Sequence, residues 1–215
     1  DEGLVSNGWL QQFHAKRVID VKNLANLNLD GRMRTSIKYG PKAEIKLLGI
    51  KSDLEKVEEI VTEDATKIIL DNWTEGGVAL EIITPNLEIL SAKNLSSLSL
   101  EGFNQDKMEV NYSGRLHSNR TITAYMDVKD LTLNIGGSND IDLTGSGENL
   151  NVNILDGSRV TADQYKAATV KVSGNIYSRS TFYASESFDC PKYKTDHIKL
   201  FGNPELLALN MEKTD

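Results

Sequence analysis

The chain has 215 residues and a mass of 23.8 kDa, which suits one large domain or two small ones. Its residues are 39% hydrophobic and 26% charged, a balance that is typical of a folded chain and excludes disorder over most of the length. The formal charge is −7, so the basic surface that neutralises phosphates is missing, and we expect no nucleic acid as a partner. No apolar stretch approaches the roughly 20 residues of a membrane helix, so no membrane span is expected in this chain. Cys190 is the only cysteine, which excludes an intrachain disulfide and any multi-cysteine metal site.

The predicted domain boundaries are the points where the alternation of apolar and polar residues begins and ends. Residues 1–17 show no sustained hydrophobic period, whereas from Val18 onward apolar and polar residues alternate in short segments that mostly end in Gly, Asn, Asp or Pro. Such alternation predicts half-buried strands, and the terminal residues predict tight turns between them. We expect a lead-in, a single β-domain and a tail: residues 1–17, 18–210 (less regular over 18–85, regular over 86–210) and 211–215.

One segment of the less regular part, Ser52–Glu59, is a helical candidate. Asp53 is a typical N-cap residue, and Leu54 and Val57 fit about one helical turn that runs into a strand. The residues Glu63–Ala65 then predict the turn of a hairpin.

The strongest signal is a repeat of about twenty residues. Five segments of matching pattern, LEILS, MEVNY, LTLNI, LNVNI and VKVSG, begin 21, 23, 19 and 20 residues apart, at Leu87, Met108, Leu131, Leu150 and Val170. The first and third positions are apolar in all five segments, and nine of the ten residues at the second and fourth positions are polar. Constant spacing together with alternation predicts stacked coils whose first and third positions face a shared core.

The predicted fold is therefore all-β: a right-handed parallel β-helix, or solenoid, with coils of about 20 residues and an irregular N-terminal region. The hand follows because crossovers between parallel strands are almost always right-handed. Secondary strands around Ile141 and Val160 begin ten residues after the start of their repeats, so each coil is expected to hold two or three short strands. The N-terminal region and the C-terminal segment FGNPELLALN are expected to cap the exposed ends.

The order of these motifs resembles a known family. RVIDVKNLANLNLDG near the start, GGSNDIDLTGSGENLNVNI in the middle and HIKLFGNP near the end are similar to bacterial putative auto-transporter adhesins with the head GIN domain. The chain departs from the family pattern in keeping few copies of the run Ser-Gly-Ser-Gly-Asp/Asn-Ile. The resemblance implies a β-helical fold, export to the periplasm or outer surface of the cell envelope, and an adhesive role, and it carries no catalytic residues.

The outward positions of the regular coils hold the candidate ligand-binding residues. Asn111, Asn134 and Asn153 occupy the fourth position of successive segments, and stacked amides can bond to one another and to hydroxyl-rich ligands such as glycans. Aromatic rings that could stack on sugars occur toward the C-terminal coils. These candidates are Tyr165, Tyr177 and Tyr183. The alternative is a plain solvated face whose asparagines only stabilise the ladder.

Other residues with reactive side chains have simple structural interpretations. The run GGSNDIDL is similar to one calcium-binding repeat, but a single copy is explained by turn chemistry. Glu88 and Glu109 are expected to stack on the outer face about 4.8 Å apart, and a solvated pair explains them without catalysis. The three histidines have no metal-ligand spacing, and the Cys190 thiol is expected to be partly buried and inert. The sequence thus predicts no metal, no cofactor and no catalytic residue.

The expected function is that of a non-enzymatic, exported cell-envelope protein, an adhesin-like module for surface interaction or ligand binding. Its expected partners are glycans or extracellular and cell-surface proteins, and self-association through exposed edges stays open. The alternative is a β-helix protein that binds or degrades polysaccharide, since this fold can align carboxylates and basic residues on one outer face.

Overall fold

The structure is a computed structural model that describes residues 15–21, 24–177, 179–191 and 196–207. Over these residues the chain forms sixteen strands and a short helix, α1, at Lys51–Leu54. The strands are β1 Ala15–Ile19, β2 Asn26–Gly31, β3 Met33–Tyr39, β4 Glu44–Gly49, β5 Glu58–Val61, β6 Thr66–Leu70, β7 Val78–Thr84, β8 Ile89–Lys93, β9 Ser97–Ser113, β10 Thr121–Ile135, β11 Asp140–Ser146, β12 Asn149–Ile154, β13 Arg159–Gly174, β14 Ser180–Asp189, β15 Ile198–Phe201 and β16 Glu205–Leu206. The predicted all-β solenoid is confirmed, with about six turns.

The coils form two faces. One face follows the order β5, β6, β2, β8, β9, β10, β12, β13, β14, β16, and we call it the asparagine face. The second face follows the order β1, β4, β7, β3, β9, β10, β11, β13, β14, β15. The long strands β9, β10, β13 and β14 run through both faces, with their N-terminal halves on the second face and their C-terminal halves on the asparagine face. Side chains from both faces pack into one continuous core.

The predicted repeat is confirmed by the pairing of the main strands. Leu131 pairs with Met108 on one side and with Leu150 on the other, and Leu150 pairs with Val170, all between parallel strands. All four side chains are buried, so alternation and spacing together define the coil register. Antiparallel pairing occurs near the N-terminal end, between β1 and β4, β4 and β7, and β5 and β6. The right hand of the coil stays a prediction.

The first of the five repeat segments differs from its predicted register. The backbone N–H groups of Glu88 and Ile89 both donate to the carbonyl oxygen of Ala25, at 2.7 and 3.0 Å, so the strand slips by one residue here. As a result Ile89 is exposed and Leu90 is buried, the reverse of the expectation. The expected Glu88–Glu109 stack is also wrong, because Ile89 is the register partner of Glu109.

The short helix and the hairpin occur where the sequence predicts them, but the role expected for Asp53 is wrong. The N-cap residue of α1 is Ile50, and Asp53 lies inside the helix with a fully buried side chain. Its carboxylate accepts hydrogen bonds from the backbone N–H groups of Glu75 at 3.0 Å and Gly76 at 2.8 Å. Asp53 therefore fixes a distant loop instead of the first turn of its own helix.

The ends of the domain prediction fall partly outside the described residues. Strand β1 begins at Ala15, inside the expected lead-in, while residues 1–14, which include His14, and the tail 211–215 lie outside them. At the C-terminal end, β15 and β16 both pair with β14. No helix in the described part of the chain is long and apolar enough to cross a membrane.

Candidate functional site on the asparagine face

The predicted row of asparagines exists and is in register. Asn134 on β10 pairs with Asn111 on β9 and with Asn153 on β12. All three are half-buried, because the residues on either side point into the core and leave the amides on the outer surface. The side-chain amide of Asn134 donates a hydrogen bond of 2.7 Å to Oδ1 of Asn111. The row continues through Ser91 and Ser173 in the flanking coils.

The amide ladder is interrupted between its second and third members. Asn111 donates to Oε2 of Glu109 at 3.2 Å, and Asn153 accepts from the Ser173 hydroxyl at 3.3 Å. Among the described residues, no hydrogen bond joins Asn134 to Asn153. Amide groups at this step are therefore available to a ligand.

The centre of the face is polar, and charged side chains flank it. Beside the asparagine row runs a second row in which Thr132 pairs with Glu109 on one side and with Asn151 on the other, and Asn151 pairs with Lys171. Two open depressions of about 480 and 380 Å³ meet at Asn134. Their walls combine apolar surface with amides and hydroxyls, and these polar groups can donate to and accept from the hydroxyl groups of a neutral ligand.

A third depression of about 880 Å³ on the same face collects the carboxylates Glu88, Asp106, Glu109 and Asp130 near Lys107. Glu88, Glu109 and Asp130 each accept a hydrogen bond from a neighbouring asparagine, at 3.3, 3.2 and 2.6 Å respectively, and Asp106 pairs with Lys129 at 3.6 Å. Throughout the described ranges, no group of three or more His, Cys, Asp or Glu side chains is arranged to hold a metal ion.

The tyrosine candidates are not gathered beside the asparagines. Tyr177 is 71% exposed in the turn after β13, whereas Tyr183 lies on the second face with Nζ of Lys166 4.1 Å from its ring centroid. Tyr165 is fully buried, and its hydroxyl donates a 2.7 Å hydrogen bond to the carbonyl oxygen of Val128. Burial raises the pKa of Tyr165 to about 12. The expectation that Tyr165 could stack on a sugar is therefore wrong.

The glycine-rich turn before β11 forms hydrogen bonds within itself and with the turns of the neighbouring coils. The Asp156 carboxylate accepts from the N–H of Gly137 at 3.0 Å, and the Ser138 hydroxyl donates to the Asp156 carbonyl oxygen. The buried Asn139 amide donates to the carbonyl oxygens of Gly114 and Gly136, both at 2.7 Å. These contacts join successive corners of the solenoid and are those of turn chemistry.

Comparison with known families agrees with the fold. The sequence model of the family described as putative auto-transporter adhesin, head GIN domain, matches residues 23–204. The chain belongs to this family. The match runs from just before β2 to just before β16, and it confirms the resemblance drawn from the sequence motifs.

Several crystal structures share the fold of this head GIN domain protein. A putative adhesin from Bacteroides fragilis superposes with a TM-score of 0.71 at 16% identity, over 89% of this chain and 90% of the other. A putative lipid binding protein from Parabacteroides distasonis gives 0.62 at 14% identity, over 90% and 91%. A putative adhesin from Parabacteroides merdae gives 0.59 at 11% identity, over 90% and 95%. No curated protein matches the chain.

One concave site of this head GIN domain protein is not marked by any repeat in its sequence. It is a depression of about 570 Å³ lined by Trp73, Arg32 and His117, among other residues. The three side chains come from turns far apart in the chain and lie outside the five repeated segments. The one signal that points to the site is a tryptophan within the polar run DNWTEGG, a setting with little apolar surface to cover an indole.

Proposed function

We propose that this head GIN domain protein is a non-enzymatic protein of the cell envelope that binds neutral, hydroxyl-rich glycans on its asparagine face. The observation that supports this proposal is the hydrogen-bonded pair Asn111–Asn134 in register with Asn153, beside the uncharged Thr132 and Asn151. Several fixed amides and hydroxyls spaced along parallel strands can engage successive hydroxyl groups of a sugar chain.

Glycans suit this face better than the other ligand classes. Protein interfaces usually centre on buried aromatic or aliphatic anchors, and the exposed apolar residues here, Ile89 and Leu155, lie in two different depressions. The Parabacteroides distasonis neighbour is described as lipid-binding, but an acyl chain needs an enclosed apolar cleft, and the depressions here are open and carry amides, hydroxyls and the charged Lys171 and Asp189. A lipid is therefore an alternative outcome of the binding test.

Degradation of polysaccharide is the second candidate function, and the depression with Glu88, Glu109 and Asp130 is the observation that favours it. Each of these carboxylates already accepts a hydrogen bond from an asparagine, so its contacts are explained by the structure of the face without catalysis. Incubation with a panel of polysaccharides, followed by measurement of new reducing ends, separates the two candidates. We expect no new reducing ends above background. Release of reducing ends by the parent chain that is lost in Glu109→Gln would show that the protein degrades polysaccharide.

The binding test uses an array of neutral glycans, acidic glycans, extracellular-matrix proteins and lipid vesicles. The variant carries Asn111→Ala, Asn134→Ala and Asn153→Ala together. A matched control carries Ser36→Ala, Ser99→Ala and Thr123→Ala, which removes three register-matched polar side chains from the second face.

We expect binding of neutral glycans that is lost in the asparagine variant and kept in the control. Binding of neutral glycans that both triple variants keep, or binding of vesicles alone, would contradict the proposal. Family membership supports export, and fractionation of the native cells with an antibody against the chain tests the location. Sedimentation over a range of concentrations tests whether the chain self-associates.

A further inference from the structure

One corner of the solenoid, outside the asparagine face, carries another concave site, which we call the Trp73 corner. Its depression of about 570 Å³ lies where three turns meet. Trp73 follows β6, Arg32 lies between β2 and β3, and His117 lies between β9 and β10. Trp73 is 75% exposed, more than any other large hydrophobic side chain in the described ranges. An indole so placed contributes little to the core and leaves a flat apolar face open to a ligand.

Hydrogen bonds to Lys56 and Asp53 fix the backbone of the loop that carries Trp73. The Lys56 ammonium donates a 2.9 Å hydrogen bond to the Trp73 carbonyl oxygen. The fully buried carboxylate of Asp53 accepts from the N–H groups of Glu75 and Gly76, at 3.0 and 2.8 Å. The exposed indole therefore stands on a loop whose backbone is fixed, so little ordering entropy is lost when a ligand packs on it.

Charges of both signs lie at this corner: Arg32, Asp30 and Asp71 line the depression, and the charge of Arg115 acts on His117. In the described part of the chain, Arg32 and Arg115 form no ion pair, whereas Asp30, which lines the same depression, is paired with Lys93 at 3.6 Å. Partial burial and the nearby charges of Arg32 and Arg115 lower the pKa of His117. The two guanidinium groups thus act on the imidazole and are available to an anion.

We propose that the Trp73 corner binds an acidic sugar, a pyranose ring that carries one carboxylate, as uronic and sialic acids do. The flat indole packs against the C–H face of the ring, and the Arg32 guanidinium pairs with the carboxylate through two N–H groups. Asp71 and Asn94 also line the depression and can bind the sugar hydroxyls. The negative charge of Asp71 disfavours a phosphate monoester, which carries more negative charge than a carboxylate at neutral pH. This site is separate from the asparagine face, because it is formed by other residues and its ligand is charged instead of neutral.

The first test follows the imidazole of His117 by NMR while the full chain is titrated with trigalacturonate or sialyllactose. Lactose is the neutral control, and His117→Gln assigns the signal among three histidines. The charged groups around this imidazole are Arg32, Arg115, Asp30 and Asp71. We expect at least one acidic sugar to bind about tenfold more tightly than lactose and to raise the pKa of His117, because a carboxylate stabilises the imidazolium.

The second test compares variants by calorimetry. Trp73→Ala and Arg32→Gln are expected to weaken binding of the acidic sugar at least about tenfold, while Trp73→Phe and Arg32→Lys keep part of the affinity. The controls are Tyr125→Ala, an exposed aromatic on the second face, and Arg179→Gln, an exposed arginine of a distant turn, and both are expected to bind normally. Thermal melting followed by circular dichroism confirms that each variant folds.

Four outcomes would contradict the proposed site. They are an affinity for lactose equal to that for the acidic sugars, unchanged binding of the acidic sugar by Arg32→Gln, binding that leaves the pKa of His117 unchanged, and no binding of either acidic sugar. The triple asparagine variant is expected to bind the acidic sugar as the parent chain does. Failure of the glycan proposal for the asparagine face therefore leaves this result unaffected, and the two proposals are distinguished.

Discussion

The side-chain amide of Asn134 donates to Oδ1 of Asn111 across two neighbouring coils, at 2.7 Å. Both residues follow a buried residue of the same pattern, Leu133 and Val110, which pair with each other in the core. The core register thus brings the two amides within hydrogen-bonding distance, and the contact contributes to stability whether or not a ligand binds.

Removal of this amide is expected to destabilise the protein modestly. Asn134→Ala loses one half-buried hydrogen bond, which costs about 1 kcal/mol in the free energy of unfolding. Asn134→Asp costs more at neutral pH, because a carboxylate then faces the Asn111 carbonyl oxygen, and the excess disappears when that carboxyl is protonated. Guanidinium unfolding measures both, with Asn151→Ala in an adjacent exposed position as the control, expected within about 0.5 kcal/mol of the parent chain. An equal cost for both alanine variants would contradict the role of the ladder.

The buried carboxylate of Asp53 makes stability depend on pH at the acidic end. Burial raises its pKa, but the hydrogen bonds from Gly76 and Glu75 and the charge of Lys56 outweigh burial, so the pKa lies below its ordinary value. The folded state therefore binds fewer protons than the unfolded state. The stabilisation is present above the unfolded pKa of about 3.9 and is lost as the pH falls through the folded pKa.

Asp53→Asn is expected to lower the free energy of unfolding at pH 7 by about 1.5–3 kcal/mol, because charged hydrogen bonds are replaced by neutral ones. The loss relative to the parent chain should shrink below about pH 4. Urea unfolding from pH 2 to 7 measures this difference, and Glu63→Gln, at an exposed position of the hairpin turn, makes the same change of charge. A difference that stays constant over this pH range would rule out the linkage.

Two glycines with positive φ allow a matched test of backbone contact between coils. Gly145 has φ +126°, and a Cβ there would overlap the carbonyl oxygen of Met126 in the neighbouring coil. Gly157 has φ +69°, and the described structure places no atom within 4 Å of a Cβ built on it. Gly157→Ala is expected to cost about 1–2 kcal/mol from φ alone, and Gly145→Ala clearly more, because the coils must separate. Similar melting temperatures for the two variants would contradict the close approach.

The buried hydroxyl of Tyr165 makes stability depend on pH at the alkaline end. Its pKa is raised to about 12, chiefly by burial, so the folded state holds the phenolic proton more tightly than the unfolded state. The stabilisation is present below the unfolded pKa of about 10 and is lost as the pH rises through the folded value. Tyr165→Phe is expected to cost about 1 kcal/mol at pH 7 and to remove one late transition from the phenolate absorbance titration. Tyr177→Phe, at an exposed site, is expected to leave the unfolding free energy unchanged.

Local pattern accounts for much of the fold. Strand periodicity, the 19- to 23-residue spacing and the apolar first and third positions predict which side chains face the core in four of the five segments. They also predict the register of Asn111, Asn134 and Asn153, because a row of outward residues follows once the inward residues are fixed. The hairpin of β5 and β6 is likewise predicted from local sequence, since its turn residues lie between these two strands.

The sequence by itself therefore determined the all-β class, the coil length and the asparagine row, since each depends on the side-chain period along a strand and on one repeat distance. Tertiary structure alone decided the slip at Glu88 and Ile89, because it depends on a shared acceptor in another coil. It also decided the burial of Tyr165, whose hydroxyl reaches Val128, 37 residues away. It likewise decided the meeting of Trp73, Arg32 and His117, because turns 40 or more residues apart come together only when the coils stack. No local period carries information about contacts of that range.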